Sequence, residues 1–344
     1  MKKNRLISIL CVLLSALITL TAPSCASSEK KHQETYFTFF DTVTTVSFYS
    51  DGNADAFFDT VRNLLEQYHR LLDIYNSYEG TVNLKTLNDN AGKAVTVSAE
   101  LLDFISFGKE AYRLTGGYTN IALGSVLSLW HTCRTEALED LDNADIPDPV
   151  MLEEASKHTN ISDIIIDEGA SSVRLADPLM SLDAGAVGKG YAAKIICERL
   201  NGEGYSFLLN IGGNVSACGS KGGNEIWKVG VENPQDTSAS LCTLSLTDLS
   251  LVTSGSYQRY YTVGDTDYNH IIDPDTLMPA SFYLSVSVLC PDPAMADALS
   301  TGLFCMDIES GKELVASLEG TEAMWVLPDG STVYTDGFQS HIAK

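Results

Sequence analysis

The sequence predicts an α+β fold, a single compact domain behind a lipoprotein signal peptide. Three observations predict it. Stretches with the two-residue period of strands and the 3.6-residue period of helices are interleaved without regular βαβ alternation. The 344 residues, 44% of them hydrophobic, are ample to bury a core without disulfides or metals. No internal repeat or low-complexity linker divides the chain.

The first stretch reads as an address. Lys2, Lys3 and Arg5 precede an apolar run over 6–20, broken only by Ser8, Ser15 and Thr19. Such a run is short for a membrane span and suits a signal-peptide core, so residues 1–24 are expected to be a signal peptide. It ends in Ala22-Pro23-Ser24-Cys25, similar to a bacterial lipobox with Ala22 where the pattern has Leu. Cys25 is thus expected to be lipidated, with 25–35 as a tether and 36–344 as the domain. Ordinary cleavage near Ser24, with Cys25 a bystander, is the other reading. One acyl chain anchors marginally, so a triacylated Cys25 would hold the domain at the extracytoplasmic face of a cell membrane, periplasmic or outer.

The elements follow in order. Residues 36–49 alternate polar and apolar, as a strand does. Over 55–75, Phe58, Val61, Leu65, Tyr68 and Leu72 recur at helical spacing. Ser98 can cap a helix that carries Leu101, Leu102, Ile105 and Ala111 and stops at Gly116-Gly117. Residues 135–160 are acidic and read as an excursion. Strands are expected at 161–166 and 172–175, a helix at 189–200 closed by Asn201-Gly202, and a buried strand at 207–211 running into Gly212-Gly213. Further strands are expected at 226–232, 240–247, 251–262 and 284–290. Pro293 opens a helix to about 307, and strand-like pieces close the chain at 323–326 and 332–335.

Charge narrows the partners. Against 22 Lys and Arg stand 45 Asp and Glu, a net −23, and removing 1–24 takes away three cations and no acid. Neutralising phosphates needs a basic surface, so nucleic acid is excluded as a partner. An anionic ligand must be held by backbone N–H groups, a few local cations or a bridging metal. Beyond Cys11 and Cys25, six cysteines remain, without CxxC or Cys/His zinc spacing. An exported compartment permits disulfides, but most of these cysteines sit in apolar runs and read as small buried side chains; pairing is left open.

Five stretches could carry chemistry. Asp297 and Thr301 lie four apart on an expected helix, hence on one face. Two such hard oxygens suit Mg²⁺, which keeps waters and bridges to phosphates; the plainer reading is a Thr bonded back into its helix beside an exposed Asp. In Leu182-Asp183-Ala184-Gly185-Ala186-Val187-Gly188-Lys189-Gly190-Tyr191 a strand end passes through three glycines into a helix, which permits close approach of a phosphate, or is merely a tight turn. Asn210-Ile211-Gly212-Gly213-Asn214 is a bulge or turn, or a contact for a flat ring. His270, in Tyr268-Asn269-His270-Ile271-Ile272-Asp273-Pro274, is a candidate general base, or an ordinary surface or core imidazole. A Ser–His–Asp hydrolase could use Ser254, His270 and Asp273, although the GxSxG elbow is missing. Finally, 72–78 and 84–88 place aromatics beside amides, which can bracket a ring or simply pack.

Taken in order, these stretches resemble the ApbE family, the FAD:protein FMN transferases. The likeness runs over about 36–335. It begins at Phe40-Asp41-Thr42, similar to the family's Met-Gly-Thr strand, and continues through Ser77-Tyr78, Leu87-Asn88 and Gly117-Tyr118-Thr119-Asn120-Ile121-Ala122-Leu123-Gly124 with Trp130. It closes with the 182–191, 210–214, 253–255, 270–274 and 296–301 stretches. Asn120 stands where many members have Asp, Ser125 where Pro is common, and Gly188 where Ala is frequent. The resemblance implies an enzyme that transfers FMN from FAD to a Thr or Ser hydroxyl, forming a phosphoester and releasing AMP. It implies Mg²⁺ held by Asp297, Thr301 and the Ala186 carbonyl, with His270 as base. Flavin and adenine contacts would fall to Phe40, Tyr78, Asn88, Tyr118, Thr119, Asn120, Asp183, Lys189 and Ile272. Acceptors would be exported flavoproteins, such as subunits of Rnf or sodium-pumping NADH:quinone reductase complexes. The alternatives are a Mg-dependent FAD pyrophosphatase releasing FMN and AMP, or a non-catalytic flavin-binding lipoprotein.

Overall fold

The computed structural model describes residues 29–344; the expected signal peptide and Cys25 lie outside the described residues. In chain order the elements are β1 (Lys30–Phe39), β2 (Thr42–Ser50), α1 (Asp55–Leu71), α2 (Leu84–Asp89), β3 (Ala94–Thr96), α3 (Ala99–Leu114), α4 (Gly124–Glu139), α5 (Pro149–Ser156), β4 (Ile164–Asp167) and β5 (Ser172–Leu175). They continue with α6 (Gly188–Gly202), β6 (Phe207–Ile211), β7 (Asn214–Cys218), β8 (Trp227–Asn233), β9 (Asp236–Leu246), β10 (Leu249–Gly255), β11 (Tyr260–Val263), β12 (Thr266–Asn269), β13 (Ser285–Cys290), α7 (Pro293–Cys305), α8 (Ile308–Ala316), β14 (Glu322–Val326) and β15 (Thr332–Tyr334).

Eight strands form one sheet in the order β1-β2-β6-β7-β10-β13-β14-β15, every neighbour antiparallel. The expected α+β class holds. Helices cover one face. Phe57, Val61 and Leu65 of α1 and Ile196 and Leu200 of α6 pack with Val46, Phe48, Phe207 and Leu209 of the sheet. Farther along, Leu299, Leu303 and Phe304 of α7 pack with Val252, Val286 and Val288. The opposite face is closed by the β8–β9 hairpin, whose Trp227, Val229, Leu244 and Leu246 meet Val215, Leu251, Leu289 and Met324. Strand alternation sends Leu251 and Val252 to opposite layers, which is why β7 and β13 are buried along their whole length.

Three expectations change. The strand expected over 36–49 is a hairpin, folded at Phe40 and Asp41, both in the left-handed region (φ 54° and 49°). Two consecutive positive φ values match the two-residue turns that hairpin twist prefers; without Asn-Gly or Asp-Gly there, the sequence carries no signal for it. Its first arm starts at Lys30, paired with Ser50, so residues 30–35 of the expected tether belong to the sheet. The strand expected over 251–262 ends at Gly255 and resumes as β11, which pairs only with β12. Finally α4 was hidden, because its N-cap position holds Leu123 and makes no side-chain cap bond.

One end of the sheet gathers the turns that matter. The registers Thr44↔Ile211 and Gly255↔Ser285 place the Phe40-Asp41 turn, the Gly212-Gly213 turn and the end of β10 at the same edge. Gly212 (φ 57°) donates its N–H to Val43 O at 3.0 Å, and a Cβ there would lie 2.3 Å from Thr42 Oγ1. Only glycine fits that approach.

Candidate active site

The first corner of the site is the crossing of α6 and α7. Asp297 is 3% exposed, and its Oδ2 accepts the Gly190 N–H at 2.7 Å. The two helices meet so closely that a Cβ on Gly190 would lie 2.3 Å from Asp297 Cβ and 2.5 Å from Pro293 O. Gly190 is the third residue of α6, so its N–H has no acceptor within the helix, and Asp297 supplies one from the neighbouring helix. One turn beyond Asp297, Thr301 is half-buried. The Asp297 carbonyl, to which a helical Thr at 301 would bond back, accepts from Ser300 Oγ at 3.0 Å. Among the described residues no three His, Cys, Asp or Glu side chains converge. A cation here would draw on one carboxylate, one carbonyl and one hydroxyl, all hard oxygens, and complete its shell from substrate and water; that donor set fits Mg²⁺.

The second corner is His270, directly after β12. Its backbone N–H and its Nδ1 both meet the Arg259 carbonyl, each at 3.1 Å. A carbonyl only accepts, so Nδ1 carries the hydrogen and Nε2 keeps a free lone pair. The residue is exposed. Desolvation first, then the charges of Lys189, Arg259 and Arg134, pull its pKa down to about 4. The shift favours the neutral imidazole. Lys189 links the two corners. Its charge reaches His270, and the next residue, Gly190, binds Asp297.

The remaining expected residues divide by what they touch. Asp183 is buried and accepts the Gly185 N–H at 2.6 Å, inside the glycine turn that opens α6. Asn88 accepts from the Leu182 N–H (2.7 Å) and donates to its carbonyl (3.0 Å), clamping the chain just ahead of Asp183. Thr119 donates to Ala298 O at 2.6 Å, and Asn120 bonds Thr159 O and the Ala122 N–H, so both hold backbone. Tyr78 donates to Asp73 Oδ2 at 2.6 Å under the Arg70 guanidinium; burial, then that carboxylate, push its pKa up to about 12. Tyr118 sits among residues of the α7–α8 side, its pKa raised by burial and then by Asp275. Phe40 lies at the hairpin tip, its N–H on His69 Nδ1 at 3.3 Å. Ile272 is buried beside Trp130 and Tyr261.

That last cluster explains α4. Trp130 stacks on Tyr268 (6.0 Å between centroids) and donates to Leu277 O at 3.0 Å, so this helix holds the segment that carries His270. It also delivers groups the sequence did not single out: His131, whose Nδ1 meets Tyr75 Oη at 2.8 Å, and Arg134. Arg259 is the third, and its only sequence signal is a lone cation in an acidic chain. The hydrolase arrangement is not assembled. Ser254 Oγ pairs with Ser300 Oγ at 2.9 Å, and His270 Nδ1 faces a carbonyl, not Asp273. All six cysteines among the described residues are free thiols.

The chain is similar to known proteins of one family. The model of the ApbE family matches residues 40–325. An FAD:protein FMN transferase of Treponema pallidum is 32% identical over 291 residues, covering 80% of this chain and 78% of its own length. One from Klebsiella pneumoniae is 30% identical over 276 residues, covering 79% and 82%. Among solved structures, the ApbE protein of Thermotoga maritima superposes with a TM-score of 0.82 at 25% identity, covering 92% of this chain and all of that one. The apo flavinyl transferase ApbE of Pseudomonas stutzeri, at 23% identity and a TM-score of 0.77, shares the fold over 92% of this chain and 98% of its own.

Proposed function

The chain belongs to the ApbE family, and from that premise we propose how its cleft transfers FMN from FAD to a protein hydroxyl. It is an enzyme, a flavin transferase, with FAD as substrate. An acceptor Ser or Thr hydroxyl approaches the exposed His270. Nε2 takes the hydroxyl proton as the oxygen attacks the FMN-side phosphorus. The bond from that phosphorus to the oxygen bridging to AMP breaks, and AMP leaves with the electron pair. A phosphoester joins FMN to the acceptor. Asp297, Thr301 and the Ala186 carbonyl would hold Mg²⁺, which when bound neutralises charge growing on the leaving phosphate. Lys189 and Arg134 supply positive charge that an overall −23 chain otherwise lacks. Phe40, Tyr78, Tyr118, Asp183, Lys189 and Ile272 would contact the dinucleotide, with Asn88, Thr119 and Asn120 holding the backbone beneath it.

What supports this reading is an exposed His270 whose Nδ1 is fixed on the Arg259 carbonyl, with Lys189 linking it to the corner where Asp297 holds the Gly190 N–H. Incubating the protein with FAD, Mg²⁺ and an acceptor domain should add FMN to the acceptor by mass and release AMP. Wild type without adduct on several acceptors would overturn it. Because the exposed His270 also meets water, FAD hydrolysis to FMN and AMP is the second reading, tested by AMP release without acceptor.

We further propose that residues 1–24 are a signal peptide and that a lipidated Cys25 holds the domain at the extracytoplasmic face of a membrane. The support is the cationic start, the short apolar core and the cysteine at its end. No helix among the described residues is long and apolar enough to cross a membrane. Acceptors on that face would be exported flavoproteins, such as Rnf or sodium-pumping NADH:quinone reductase subunits.

A further inference from the structure

We propose that Arg259 is a positioning residue, a strap that fixes the base His270 against the tip of the β1–β2 hairpin. The inference rests on the reading of His270 as the base. Its guanidinium donates to the Asp41 carbonyl at 3.0 Å, across 218 residues of sequence. Its own carbonyl receives both His270 hydrogens described above. The Arg259–His270 pair extends the β11–β12 hairpin by one rung beyond Tyr260↔Asn269, and the guanidinium ties that end of the hairpin to the β1–β2 turn. Both partners need such help. The turn is built from two non-glycine residues at positive φ, a conformation that costs energy to hold. The imidazole has a single ring hydrogen bond, and the strand behind it belongs to a ladder of only two strands, β11 and β12.

The strap also sets the charge beside the base. The charged groups facing His270 are Lys189 from α6, Arg134 from α4 and Arg259 itself, and all three disfavour the imidazolium. Arg259 is exposed, so its substitution leaves the buried core untouched.

The test is steady-state kinetics on the full domain, with FAD, Mg²⁺ and a fixed acceptor, across pH 4–8. In Arg259→Ala, kcat at pH 7 should fall by about tenfold or more with KM for FAD within about twofold, as expected when alignment and not binding is lost. The acid limb of the profile should move to higher pH. Arg259→Lys should return the limb, because the charge is restored, while recovering only part of kcat, because an ammonium lacks the planar fork. An acid limb that stays in place, or a loss carried by KM, overturns the proposal. His270→Ala separates the two levels. If that variant still transfers FMN at the wild-type rate, the base assignment fails; if it is inactive while Arg259→Ala is unchanged, only the strap fails.

Discussion

At the scale of single residues, the site depends on where two hydrogens go. Nδ1–H is spent on the Arg259 carbonyl, which leaves Nε2 as the base. Replacing His270 by Ala should cut protein flavinylation by about 10²- to 10⁴-fold, read by mass spectrometry of the acceptor, with FAD binding retained by fluorescence titration. Because the folded His270 has a lowered pKa, the base is competent above it and lost as pH falls through it. The transfer rate should therefore hold from pH 8 to below the ordinary histidine value of about 6.5, then drop. The Gly190 N–H is spent on Asp297, so Asp297→Ala removes an expected cation ligand and strands a buried donor. Mg²⁺-dependent AMP release should disappear, and stability should fall by about 1–3 kcal/mol in urea unfolding. Asp297 and Thr301 stood out by their spacing on one helix and His270 as a lone imidazole, while the roles expected of them came from the family resemblance. Arg134 and Arg259 were not legible, since only the fold brings their charges to His270. Asn88, Thr119 and Asn120 were legible as positions, but their amides and hydroxyl are engaged by backbone, which no spacing reveals.

At the scale of elements, the crossing of α6 and α7 is the joint on which the cation corner turns. Its tightness gives a direct test. Gly190→Ala would drive a methyl into Asp297 Cβ and the Pro293 carbonyl, both backbone-proximal and unable to swing away. We expect about 1–3 kcal/mol of destabilisation and weaker Mg²⁺ binding by isothermal titration, whereas Gly202→Ala, with open space around it, should be silent in both. The sequence showed α6 and α7 through their periodicity and their Gly and Pro punctuation. It hid the β1–β2 turn, which reverses without the residues that usually mark a hairpin turn, whereas the break after Gly255 carries its signal in Ser254-Gly255-Ser256. Tyr257, whose ring a Cβ on Gly255 would strike at 2.6 Å, shows that the glycine there serves packing as well as bending.

At the scale of the whole molecule, an all-antiparallel sheet buried on both faces supplies a frame that needs no metal to fold. Chelation should abolish transfer and AMP release, Mg²⁺ should restore them, and the thermal midpoint of the metal-free protein should stay within a few degrees of the untreated one. The edge of that frame offers a second measurement. A chain beginning at 29 keeps the pairs from Lys30↔Ser50 to Thr35↔Thr45, and one beginning at 36 loses them. The shorter form should melt earlier by differential scanning calorimetry while each folded molecule keeps its activity. One further consequence follows from the amide that Gly190 lends to Asp297. With Oδ2 so committed, the carboxylate has a single oxygen free to give, and that restricts ion choice. Calcium favours larger shells and often grips both oxygens of a carboxylate, whereas magnesium is content with one at a fixed octahedral corner. If Asp297 holds a divalent ion as proposed, a glycine N–H would tilt that choice toward the smaller one.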